Sequence, residues 1–288
     1  MDIGFYSPEL QRPDLASFFH DAAAMGYRTV QFNFLTTGLE EMPSRIPAAL
    51  LRQIIRHSSG SAIRIVAVNG TFNMIHPDRD MRQLGIERFH VMADACADLD
   101  CPIVTLCTGS RHPDSMWRFH PDSLLPQAWD DLRRSLEAIL PDAQRYGLIL
   151  GIESEASNCV NSAGRARRLL DEYQTPHLKI IMDAANLFAP GQAEPEQVRP
   201  VIDEAFTLLG SDLCLAHGKD LQAGPGLSFT HAGDGIIDFP YYLNHLAESG
   251  YTDSFILHGI HDEANLESSL SFIQALTGDA ANHQKGVM

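Results

Sequence analysis

Four consecutive apolar runs each end in a side chain able to bind a metal. Leu148-Ile149-Leu150-Gly151-Ile152 leads into Glu153, Ile180-Ile181-Met182 into Asp183, Leu213-Cys214-Leu215-Ala216 into His217, and Phe255-Ile256-Leu257 into His258. A polar residue after a strand is ordinarily a helix cap or turn former, but Glu and His are poor caps. Four such endings in succession therefore point to a metal site. Carboxylate and imidazole donors together suit Mn²⁺ first, with Co²⁺, Fe²⁺ or Zn²⁺ as alternatives, and Mg²⁺ less well. One divalent ion there would hold the oxygens of a carbonyl/hydroxyl pair and stabilise the enediolate formed when the adjacent C–H loses its proton. Glu153 is the natural base, with Glu155 its competitor, while His258 would be a fourth ligand, an opposite-face acid/base, or both. Bases on both faces permit epimerisation. A base on one face suffices for isomerisation or for loss of a β-hydroxyl.

Groups from separate strands reach one rim only if those strands run parallel. The candidate strands are 3–6, 29–34, 63–68, 103–107, 148–153, 179–182, 213–216 and 255–257, mostly continuous Val/Ile/Leu runs of the kind buried on both faces. Helical stretches alternate with them: 14–25, closed by Gly26; one capped by Ser44 and containing Ile46 and Leu50; then 80–99, 125–146, 162–173, 196–209, 241–249 and 265–276. Eight strand–helix units in about 275 residues predict a single α/β domain, a closed (β/α)₈ TIM barrel over residues 1–276. An open doubly wound sheet would carry a glycine-rich turn after its first strand, and Tyr6-Ser7-Pro8-Glu9 is not one. Residues 277–288 lack periodicity and read as a flexible tail.

Composition narrows the partners. Among 288 residues, 21 Lys and Arg stand against 37 Asp and Glu, a formal charge of −16 that disfavours nucleic acid. No apolar run reaches the ~18–20 residues of a membrane span, so no membrane partner is expected. The N-terminus has neither a basic nor an extended apolar region, so the cytoplasm is the expected location. The five cysteines are widely spaced without a C-x-x-C pair and read as buried, reduced thiols.

The segments Gly151-Ile152-Glu153, Met182-Asp183-Ala184-Ala185-Asn186, Ala216-His217-Gly218-Lys219-Asp220 and Gly233-Asp234-Gly235-Ile236-Ile237-Asp238-Phe239 resemble, in order and spacing, the xylose-isomerase-like TIM barrels, the sugar phosphate isomerase/epimerase family. The resemblance spans roughly residues 1–275. It implies one divalent ion held by Glu153, Asp183 and His217, with Asn186, Lys219 and Asp220 touching the sugar or orienting its ligands. It also implies a small-molecule sugar substrate and a homodimer or homotetramer. In one place the chain departs from the pattern, because family epimerases usually end the eighth strand with a second Glu where His258 stands. The paired-glutamate mechanism therefore does not transfer unchanged.

The expected activity is metal-dependent isomerisation or epimerisation of a ketose, inosose or related keto-sugar. The alternative is a lyase on the same site, either inosose dehydratase-like or a C-glycoside-cleaving subunit. An AP-endonuclease-like phosphodiesterase would want further His ligands and a basic surface. The long connection Thr108–His120 should overlie the barrel mouth, with Trp117 facing a sugar ring and Arg118 or Arg111 free for an anionic group. Asn69, Asn73 and His231 are further candidates for substrate contact, while His112 and His120, both beside Pro, read as structural.

Overall fold

The computed structural model describes the backbone of residues 1–285 and the side chains of residues 1–278. Eight parallel strands form the frame: β1 (Ile3–Tyr6), β2 (Thr29–Phe32), β3 (Arg64–Asn69), β4 (Ile103–Cys107), β5 (Ile149–Glu153), β6 (Leu178–Asp183), β7 (Leu213–Gln222) and, after a short β8 (Ser228–His231), β9 (Phe255–Leu257). Each of the first six pairs with its successor, β6 pairs with β7, β7 with β9, and β9 with β1, so the sheet closes. Around it pack α1 (Leu15–Met25), α2 (Ala48–Gly60), α3 (Arg79–Asp98), α4 (Pro126–Tyr146), α5 (Ala163–Tyr173), α6 (Val198–Leu209), α7 (Phe239–Glu248) and α8 (Ala264–Lys285). The fold is the (β/α)₈ barrel that the alternation predicts.

Local sequence explains most element boundaries. Asp14 accepts the Ser17 N–H at 2.8 Å and starts α1, and Ser162 does the same for α5. Gly26 ends α1 at φ +102°, a left-handed conformation that glycine adopts without strain. α2 begins later than the Ser44 cap predicts. Pro47 is its N-cap and Ile46 lies outside it, since the residue before a proline is pushed out of the helical region. Helix α8 continues past Leu276 as far as Lys285, and residues 286–288 of the predicted tail lie outside the described residues.

Two apolar clusters hold the layers together. The larger joins the outer faces of the strands to the helices, and a smaller one, including Val66, Ile103, Ile181, Leu215 and Ile256, comes from strands alone and fills the barrel. All five cysteines are buried and unpaired. No helix among the described residues is long and apolar enough to cross a membrane.

The main departure from the predicted elements lies at β7. The sequence-based strand stops at Ala216 because His217-Gly218-Lys219-Asp220 is polar, yet β7 runs to Gln222 and turns back into the antiparallel β8, with Asp220 opposite Thr230. The polar stretch stays in the strand because its groups are paired inside the protein. The Asp220 carboxylate accepts the backbone N–H groups of Leu221, Gly233, Gly235 and Ile237 at 2.8–3.1 Å. A Cβ on Gly235 would sit 2.3 Å from Asp220 Oδ1, so the Gly-x-Gly spacing leaves room for the carboxylate. Asp238, which closes the motif, accepts the Tyr241 N–H and starts α7.

Asp220→Ala would leave these buried donors without an acceptor. It is expected to lower unfolding stability by about 3 kcal/mol, measured as a lower urea midpoint, with Asp220→Asn in between. An unchanged midpoint in the alanine variant would reject this role.

Candidate metal centre and its cavity

Three of the four predicted strand-end groups converge. Glu153, Asp183 and His217 are buried, and one donor atom of each lies within 4.8 Å of the others. Register explains the convergence: Asp183 is directly opposite His217 on β6 and β7, and Glu153 stands opposite Cys107 at the end of β5. His217 Nδ1 lies 3.3 Å from Glu153 Oε1 and 3.9 Å from Asp183 Oδ2. Its other nitrogen, Nε2, is 2.8 Å from Gln31 Oε1. An amide oxygen only accepts, so Nε2 carries a proton and Nδ1 is the nitrogen that faces the carboxylates, the one from which a lone pair would ligate an ion.

The charge balance also fits a cation. Burial alone would push Glu153 up, but His217 and Lys219 overcome it and hold the carboxyl below its ordinary range. Burial pushes Asp183 up, with Glu153 adding to it against Lys219 and His217. Asp183 Oδ2 is buried and accepts no hydrogen bond, although Lys219 Nζ forms an ion pair with it at 3.4 Å. Lys219 Nζ donates instead to Asn186 Oδ1 at 2.6 Å, and Asn186 Nδ2 donates to Glu153 Oε1 at 2.6 Å. Two adjacent buried carboxylates, one with an oxygen lacking a donor, suit a divalent ion better than an empty pair.

The supporting network continues across the barrel. Gln31 Nε2 reaches Thr105 Oγ1 at 3.5 Å, Thr105 donates to Asn69 Oδ1 at 3.3 Å, and Asn69 Nδ2 donates to Glu41 Oε1 at 2.9 Å. Asn33 also donates to that Glu41 oxygen and to the Tyr6 hydroxyl. Sequence reading singled out Asn69 but missed Gln31, Glu41, Thr105 and Tyr6. Position at or near a strand's C-terminal end could have flagged Tyr6 and Gln31, whereas Glu41 sits in a loop with no such signal.

His258 stands on the cavity wall beside the cluster rather than in it. Its ring centroid is 5.5 Å from that of His217, and it stacks on Tyr6 at 4.7 Å. Gly218 lets the two strands that carry these histidines pack closely, since a Cβ there would lie 2.3 Å from the Phe255 ring. His258 Nδ1 accepts the Gly259 N–H at 2.6 Å, so the proton of the neutral ring is on Nε2. Burial, with Lys219 and His217 adding to it, pushes its pKa down to about 3. As arranged the ring offers a proton rather than a lone pair, which favours the acid/base alternative over the fourth ligand. Behind it lies Glu9, 9% exposed, with Oε1 at 3.4 Å from His258 Nδ1 and Oε2 buried without a partner.

Glu153, Asn186, Lys219, His258, Glu155 and Trp117 all line one cavity of about 360 Å³ at the C-terminal ends of the strands. Trp117 is 55% exposed and overhangs it, and Phe229 of β8 forms another wall. Arg118 is exposed and does not line the cavity. Arg111 is tied to Asp131 and to the carbonyl oxygens of His76 and Gln127. Asp220 points into the β7–β8 hairpin, and Asn73 and His231 are also outside the lining. His112 and His120 accept backbone N–H groups of their own loop through Nδ1, which is a structural role.

The family model described as xylose isomerase-like TIM barrel matches residues 19–276. No curated protein matches the sequence. Among solved structures, a D-tagatose 3-epimerase-like protein superposes with TM-score 0.77 at 14% identity, covering 98% of this chain and 99% of that one. The IOLI protein with a zinc atom superposes at 0.68 and 16% identity, covering 97% of each chain. Mannonate dehydratase from Streptococcus suis serotype 2 superposes at 0.70 and 14% identity, covering 98% of this chain and 95% of that one. At these identities the likeness is one of fold.

Burial pushes the Glu9 carboxyl up to about 8, so in the native chain it keeps a proton that the unfolded chain releases near pH 4.5. Its contribution to stability is complete below that lower value and is lost as pH rises through about 8. Glu9→Gln in metal-free protein should therefore gain on wild type by on the order of a few kcal/mol between about pH 5 and 9. Urea midpoints across that range test this, and a difference independent of pH would count against it.

Proposed function

The chain belongs to the xylose isomerase-like TIM barrel family, and from that premise we propose that it is a divalent-metal-dependent isomerase or epimerase of an uncharged keto-sugar. The observation that carries this reading is the buried Glu153–Asp183–His217 cluster with its orphaned Asp183 oxygen. Glu153, Asp183 and His217 would hold the ion, with Mn²⁺ the first choice and Zn²⁺, Co²⁺, Fe²⁺ or Mg²⁺ the alternatives. Such an ion supplies Lewis acidity, polarising a carbonyl and making the neighbouring C–H more acidic.

The chain's own residues do the rest. Asn186 holds Glu153 Oε1, while Oε2 has only the Cys107 thiol near it at 3.9 Å and is the oxygen free to take a proton from carbon. His258 offers Nε2–H from a different wall, where a second proton transfer would invert the carbon. Trp117 and Phe229 present faces to the C–H side of a ring. The lining carboxylates Glu41 and Glu153 face a single cation, Lys219, among the described residues, and that cation is already held by Asn186 and Asp183. Arg111 and Arg118 are not available inside the cavity. These charges favour a neutral polyhydroxy carbonyl compound over a sugar phosphate or sugar acid.

A lyase reading has support from Glu155. Burial pushes its carboxyl up, and Glu153 and Asp183 add to the shift against Lys219, so it can retain a proton to give to a departing hydroxyl.

The test is solvent-deuterium incorporation into a panel of ketoses and inososes with the Mn²⁺-loaded protein. Exchange at the carbon beside the carbonyl is expected, abolished by EDTA and lowered at least ~10³-fold in Glu153→Gln. Exchange without loss of water supports isomerisation or epimerisation, and a product lighter by one water supports the lyase. Wild type should carry about one ion per chain, lost in His217→Ala and retained in His258→Ala. Full exchange in a folded Glu153→Gln would end the assignment.

A further inference from the structure

The catalytic cavity borders a second one at Glu41. A second space of about 330 Å³ lies between the loop after β2 and the first turns of α3, and it shares Glu41 and Thr71 with the first. Its chemistry is different. Met42 and Phe72 line it from the protein side, and Met81 and Leu84, three residues apart on α3, are 49% and 38% exposed along its edge. Glycine inside a helix costs about 1 kcal/mol against alanine, yet Gly85 sits in α3, where a Cβ would lie 2.2 Å from Phe72 Cδ2. That glycine lets the Phe72 ring lie against the helix and line the groove. Arg88 and Glu40 also line it and neutralise each other in an ion pair of 2.6 Å.

We propose that this groove is a second binding subsite, which takes the apolar, aromatic aglycone of a glycoside whose sugar ring occupies the catalytic cavity. The proposal rests on the keto-sugar reading above and specifies its substrate class. Glu41 marks the junction. Its Oε1 accepts from the buried Asn33 and Asn69 amides at 3.0 and 2.9 Å, so a fixed carboxylate meets the hydroxyls of a ring passing between the two spaces. Beyond it the Arg88 charge is already paired with Glu40, and the polar lining is confined to Thr71, Asn73, His76 and this pair. Two methionines and a leucine give an adaptable surface on which a flat ring gains both burial and sulfur–aromatic contact. The wall it shares with the catalytic cavity, Glu41 and Thr71, distinguishes this groove from an isolated apolar patch.

Calorimetry with two non-reacting probes, methyl β-D-glucoside and 4-nitrophenyl β-D-glucoside, tests the subsite on Mn²⁺-loaded protein. Wild type should bind the aryl probe about tenfold more tightly than the methyl probe. Met81→Lys and Leu84→Lys, both at exposed positions, should bring that ratio to within about twofold while leaving the methyl probe's Kd unchanged. Equal affinity in wild type, including no binding of either probe, would overturn the proposal. So would a ratio that survives both substitutions. A change of oligomeric mass in Leu84→Lys by analytical ultracentrifugation would assign the face to a second copy of the chain and overturn it too. Binding needs no turnover, so failure of the deuterium-exchange test and failure of this one are separately visible.

Discussion

Two carboxylates buried side by side set the terms for the upper half of the barrel. Glu153 and Asp183 stand at the ends of neighbouring strands in a space largely closed to water, where their repulsion is barely screened. Without compensation that arrangement costs several kcal/mol. Lys219, itself buried, supplies one positive charge, and burial that would lower its pKa is outweighed by Asp183, Glu153 and Glu155. Asn186 links Lys219 to Glu153, and His217 is oriented from behind by Gln31. The remaining deficit, seen in the unpartnered Asp183 oxygen, has the sign that a divalent ion would relieve.

The β7–β8 hairpin follows from that constraint. Lys219 can reach Asp183 only if β7 continues beyond His217, and the extension is held by Asp220 against the Gly233-Asp234-Gly235 turn. Asp220 and Lys219 are adjacent in sequence and point to opposite faces of the strand, one securing the turn and the other serving the cavity. The same hairpin brings Phe229 to the cavity wall, with the Lys219 ammonium over its ring at 4.1 Å. A single segment thus supplies the His of the candidate metal site, the cation that balances its carboxylates, a structural carboxylate and an aromatic wall.

His258 shows how one replaced side chain changes the chemistry available without disturbing the frame. It stacks on Tyr6, backs onto the protonated Glu9 and stays neutral because burial and the neighbouring Lys219 ammonium oppose its charging. A carboxylate at that place would compete for the ion. In the proposed reading, a neutral imidazole with its proton on Nε2 would act as an acid instead.

Strand and helix alternation, the closed barrel and the three side chains that cluster at its rim could all be read from the chain, because buried parallel strands leave unbroken apolar runs and the polar group follows each run directly. Asn186 and Lys219 were legible too, through the motifs that carry the family resemblance. The network from Gln31 through Thr105 and Asn69 to Glu41 was not, because it joins residues up to 74 positions apart whose types are ordinary in strands and loops. Asp220 looked like a cavity residue from its place beside Lys219, and only the turn of the strand sends its carboxylate to the opposite side. The sequence by itself determined which chemical groups stand at the strand ends. Tertiary structure decided which of them meet, since strand register and the facing of side chains across a closed barrel are set by partners distant in the chain.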